Sequence, residues 1–137
     1  MPTAEKQLAF ARRALGKART DLALARLVLQ RGPDMEPWVA AFHAQQAAEK
    51  AITALLIARW IQPSRTHDLR ELAESLPADA LIPADPQELG VLSEYSSDVR
   101  YAGPLEQTRE PTWAQAEAAV ALAGRILEAA TSQIRGK

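Results

Sequence analysis

The sequence predicts an all-α fold, an antiparallel up-and-down bundle of four to five helices, and three observations predict it. Two long stretches place a large apolar residue at every seventh position with alanine between. No stretch shows strand-like alternation or a hairpin signal. Hydrophobic residues make up 47% of the chain but aromatics only 5%, so the core must be built from Leu, Ile, Val and a great deal of Ala. Alanine has the best helix propensity, whereas strands favour β-branched and aromatic residues. The 137 residues read as a single domain over 1–137, and a chain of this size buries roughly two-thirds of the surface its unfolded form exposes.

The first helix covers about 4 to 30. Leu8, Leu15, Leu22 and Leu29 form one stripe with Ala11, Ala18 and Ala25 between them, and Gly32-Pro33 ends it. Pro37 suits the first turn of a second helix, which should run to about 60 and end before "IQPSR". A short third helix fits "THDLRELAESLP", with Thr66 as N-cap and Leu69, Leu72 and Leu76 as its apolar face. After the proline-punctuated "PADALIPADP", a fourth helix from about 86 to 99 turns Leu89, Leu92 and Val99 inward. The last helix starts near Thr112 and runs to about 135, with Trp113, Val120, Leu127 and Ile134 in one stripe and Ala116, Ala123 and Ala130 between. Two matching seams imply that the first and last helices pack on each other.

Charge and composition exclude several classes of function. With no cysteine there is no disulfide, thiolate metal site or cysteine nucleophile, and with only His43 and His67 most histidine-based mechanisms fall away. No Gly-rich phosphate loop, paired-histidine metal spacing or nucleophile elbow is present. No apolar run of signal-peptide or membrane-span type occurs, so a cytoplasmic protein without membrane attachment or cofactor is expected. The net charge of -1 hides an asymmetry: residues 1–31 hold seven basic and two acidic residues, net +5, and the remainder carries -6. Such a split more often reflects a basic helix beside acidic ones than an anion-binding face. The stripe Arg12, Arg19, Arg26 is read likewise, as a solvated helix face rather than a row of RNA phosphate contacts.

The stretch "AFHAQQAAEKAITALL" interrupts an apolar helix with polar residues. His43 and Lys50, seven apart, point within about 20° of each other on a helix, and Gln46 falls on the same side. Gln45 and Glu49 instead intrude into the largely apolar stripe of Trp38, Phe42, Ile52 and Leu56. Buried, each of these groups needs a partner or costs about 1 to 3 kcal/mol. Two readings stand side by side. In one, Gln45 and Glu49 fix helix register and His43 and Lys50 line an interface. In the other, His43, Gln46 and Lys50 face a cleft that holds an anionic or nucleotide ligand, with Lys50 as the point charge.

"FHAQQAAEKAITALL", then "THDLRELAESL", then "SEYSSDVRYAGP" occur in an order and spacing that resemble the HEPN domain over about 8 to 130. The resemblance implies a helical bundle, usually a homodimer, often paired with a minimal nucleotidyltransferase and linked to nucleotide binding, toxin-antitoxin pairs and RNA cleavage. It carries over His43, Gln46 and Lys50 from the second-helix motif, His67 and Asp68 from the third, and Arg100 and Tyr101 from the fourth as a polar ligand site. The proline that usually follows the Arg-Tyr pair is here Ala102, with Pro104 two residues later.

The family's ribonuclease branch uses an arginine followed four to six residues later by a histidine on the fourth helix. After Arg100 comes "YAGPLEQ", and no histidine follows residue 67. The sequence therefore favours a non-catalytic, dimeric HEPN-type module that engages a nucleotide or RNA and a nucleotidyltransferase partner. The alternatives are a ribonuclease toxin with a noncanonical set such as His67 with Arg100, and a purely structural helical dimer. On their own terms His67 and Asp68 read as the first turn of the third helix, with Asp68 complementing the helix dipole.

Overall fold

The computed structural model describes residues 2–96 and 110–136. It is all-helical over that extent, with α1 Ala4–Arg31, a short 3-10 turn Gly32–Asp34, α2 Pro37–Ala58, α3 Leu69–Glu74, α4 Pro86–Ser93 and α5 Trp113–Arg135. The caps are local and follow from residue type. Thr3 accepts from the Lys6 amide, and Asp85 with Glu88 and Thr112 with Gln115 form reciprocal capping boxes at α4 and α5. Pro37 and Pro86 occupy first-turn positions, where the missing amide hydrogen removes nothing.

Three expectations about boundaries are corrected. Asp68, not Thr66, caps α3: its carboxylate accepts from the Arg70 amide, while Thr66 Oγ1 accepts from the Asp68 amide at 3.0 Å. His67 consequently precedes the helix rather than sitting in its first turn. Helix α2 stops at Ala58 because Trp60 takes a left-handed φ of 61°. There the Trp60 amide donates to the Ile57 carbonyl at 3.0 Å and the Ile61 amide to that of Leu56 at 2.9 Å. This closure normally places glycine in the left-handed position. Helix α4 ends at Ser93 rather than near 99, and Val99 lies outside the described residues.

The chain runs up through α1, down through α2, up through α4 and down through α5. Gln7 near the start of α1 donates to the Ile57 carbonyl near the end of α2 at 2.9 Å, as antiparallel neighbours require. Glu88 of α4 faces Arg125 of α5 at 3.7 Å. The seams of α1 and α5 are buried as their periodicity predicts, with Ala11, Ala18, Ala25, Ala116, Ala123 and Ala130 all fully enclosed. Their main partner differs from expectation: both pack chiefly on α2, and the direct α1 to α5 contact is the smaller one.

Helix α2 is thus the axis of the bundle. Ala40, Ala41, Ala44, Ala47, Ala48, Ala51 and Ala54 have no exposed surface, and at 100° per residue they share one face about 140° wide. A broad face of small side chains lets neighbouring backbones approach closely, and Ile52, Leu55 and Leu56 complete its buried surface. Ala48→Leu should therefore destabilise the protein by about 1 to 3 kcal/mol through overpacking. The same change at exposed Ala121 should be close to neutral, and urea denaturation of the two variants measures the contrast.

Candidate functional site

Helix α2 carries its polar residues to two neighbours. Toward α1, His43 Nδ1 lies 3.1 Å from Asp21 Oδ1, and Lys50 Nζ donates to Asp21 Oδ2. One carboxylate thus receives both residues of the His43 and Lys50 strip. The Asp21 side chain is 12% exposed, against 25% for His43 and 34% for Lys50, so the anion is the enclosed member and the cation reaches solvent. Spacing along α2 places His43 and Lys50 together, and the antiparallel register of α1 brings Asp21 between them. Asp21 is the residue that reading α2 alone misses. The available signal was its position beside Leu22, in a basic helix with only one other acid.

Toward α3 the partners are Gln45, Gln46 and Glu49. Gln45 is fully buried; its amide nitrogen donates to the His67 carbonyl at 3.4 Å, and its oxygen accepts from Gln46 at 2.6 Å. Glu49 Oε1 lies 2.7 Å from His67 Nδ1. The two polar intrusions into the apolar stripe therefore grip one residue, His67, by its backbone and by its ring. Asp68 next to it starts α3, whose first amide, that of Leu69, donates to Ser93 Oγ of α4 at 2.9 Å. Among the described residues, every buried side-chain nitrogen and oxygen has a hydrogen-bond partner.

The expected site residues thus divide. His43 and Lys50 meet at Asp21, Gln46 belongs to the Gln45 chain, and His67 and Asp68 stand at the head of α3. Arg100 and Tyr101 lie outside the described residues. Both imidazoles are engaged through Nδ1 by a carboxylate, which fixes the hydrogen on Nδ1 and leaves Nε2 as the free edge. No group of three or more potential metal ligands forms among the described residues.

A concavity of about 380 Å³ lies between α4 and α5, lined by Val91, Leu92, Tyr95, Ala118 and Leu122 among others. Burial, and secondarily the charge of Glu94, raises the Tyr95 phenol above its ordinary value. It shares no residue with the polar strip of α2.

The Asp21 junction has a measurable weight. Asp21→Asn keeps the shape but removes the charge that holds two side chains. A cost of about 1 to 2 kcal/mol is expected, because His43 and Lys50 recover part of it through water. Lys50→Met should cost less, since it leaves Asp21 its histidine partner. Urea denaturation of both variants measures the order.

The comparisons with known proteins agree with this architecture. The HEPN domain model matches residues 11–134. The crystal structure of TT1696 from Thermus thermophilus superposes with a TM-score of 0.72 at 34% identity, covering 89% of this chain and 96% of that one. ST0689, described as an archaeal HEPN homologue, gives a TM-score of 0.54 at 27% identity, covering 98% of this chain and 99% of that one. No curated protein matches the chain. A domain match over nearly the whole bundle, in the helix order the geometry displays, establishes that this chain belongs to the HEPN family.

Proposed function

We propose that the chain is a non-catalytic HEPN-type binding module. As a dimer, it engages a nucleotide or RNA through the α2 strip and works beside a nucleotidyltransferase partner in a toxin-antitoxin-like pair. The observation that carries the ligand reading is the enclosed Asp21 holding the more exposed Lys50 and His43 in place. A lysine ammonium has three donors, and the carboxylate takes one, which leaves two for a phosphate. Fixing the ammonium beforehand lowers the ordering cost of binding. The dimer and the partner rest on the habits of the family.

Asp21 also sets the electrostatics. Its carboxylate offsets the charge of the lysine it holds. Calorimetric titration with a panel of mono- and trinucleotides tests the reading. Lys50→Ala should weaken binding by about tenfold or more, since a charge-assisted hydrogen bond is lost. No heat with any nucleotide, together with a Lys50→Ala effect confined to stability, would assign the strip to packing alone.

One observation favours a second reading. His67 is 63% exposed and its ring is oriented by Glu49, the arrangement a general base requires. A ribonuclease toxin with a noncanonical set built on His67 and Arg100 would use that free Nε2. Purified protein that cleaves RNA, and loses the activity in His67→Ala and most of it in Glu49→Gln, would establish this reading over the first.

A further inference from the structure

Helix α1 has a second seam that faces away from the bundle. From Phe10, the exposed residues Arg13, Lys17, Thr20, Leu24, Leu27 and Arg31 follow at alternating intervals of three and four. That is the spacing with which a helix meets another helix along its length. Phe10, Leu24 and Leu27 are 53%, 41% and 52% exposed, among the most exposed large hydrophobics described. The strip contains no acidic residue. Of the two acids of α1, Glu5 lies before the strip and Asp21 is turned inward on His43 and Lys50.

We propose that this outer face of α1 docks an acidic amphipathic helix of a protein partner. Apolar residues on the partner would cover Phe10, Leu24 and Leu27, and its carboxylates would meet Arg13, Lys17 and Arg31. Charge decides between occupants. A second copy docked through the same face would set one cationic strip against another, and like charges at close range oppose assembly. A nucleic acid would satisfy the cations, but its phosphate backbone offers nothing to two neighbouring leucines at helix-seam positions. An acidic helix satisfies both the apolar and the charged positions, in the same register. The surface shares no residue with the His43 and Lys50 strip, so the two readings stand or fall separately.

The test uses the full chain and a synthetic four-heptad peptide with leucine at the two seam positions of each heptad and glutamate beside them. A basic peptide of the same pattern and a single-stranded RNA oligonucleotide serve as comparisons. Fluorescence anisotropy should show one-to-one, salt-sensitive binding of the acidic peptide and none of the basic one, with any RNA binding indifferent to substitutions on this face. Leu24→Asp with Leu27→Asp should weaken it by about tenfold or more, and so should Arg13→Glu with Lys17→Glu. Circular dichroism should be unchanged in both variants, because every altered side chain is exposed, and Lys50→Ala should leave peptide binding intact. Absence of peptide binding, or binding indifferent to these substitutions, overturns the proposal. So does capture of the RNA by Arg13 and Lys17 in place of the peptide. Self-association of the chain abolished by the leucine substitutions overturns it equally, in favour of a second copy.

Discussion

The close approach of backbones around α2 is the constraint on which the rest of the structure depends. Seven alanines with no exposed surface allow α1 and α5 to lie against the same helix from different sides. Each alanine contributes little apolar area, so the stabilisation comes from density rather than from large side chains. The larger residues, Ile52 and Leu56 on α2 with Ile126 and Ile134 on α5, fill the places where the helix axes diverge. Close packing also dictates where polar residues can go. On a largely buried helix a polar side chain either finds a partner or is excluded, and the glutamines, glutamate, histidine and lysine of α2 each find one.

Those partnerships connect the packing to the chemistry. Asp21 ties α1 to α2, Gln45 and Glu49 tie α2 to the segment before α3, and Ser93 ties α3 to α4. Each link joins elements that are separated in sequence, and each uses groups that a wholly apolar interface would lack. Buried polar pairs of this kind add modest net stability, yet removing one member is costly because the other is left stranded. The residues that would recognise a ligand are thus also residues that hold the register of the helices. A ligand at Lys50 would act on the junction between α1 and α2.

Much of the architecture was legible in the sequence because its signals are local. The seven-residue stripes of α1 and α5, the glycine and prolines after α1 and the capping residues Asp85 and Thr112 act within a few residues of themselves. What the sequence leaves open is which surfaces meet. Matching stripes on α1 and α5 suggested mutual packing, but the broad alanine face of α2 makes it the better partner for both. Thr66 and Asp68 both carry the chemistry of an N-cap, and only the fold decides between them. Periodicity groups His43 with Lys50 within one helix, whereas the carboxylate that joins them comes from another helix and has no spacing rule to announce it. The left-handed Trp60 was equally hidden, since that conformation is usual for glycine and uncommon for tryptophan.

The long connection between α3 and α4 has no helix of its own, and Arg59, through Asp79, and Gln133 of α5 both hold it. The Gln133 amide accepts from the Leu81 amide at 3.1 Å and donates to the Leu81 carbonyl at 2.7 Å, so it pairs with that backbone as a neighbouring strand would. Leu81 itself is 71% exposed, and its side chain contributes little to holding the connection in place. The final turn of α5 is therefore a clasp as well as a helix end. Fraying of the last residues would remove one of the ties on a loop some fifty residues upstream in the sequence, next to the point from which α4 departs.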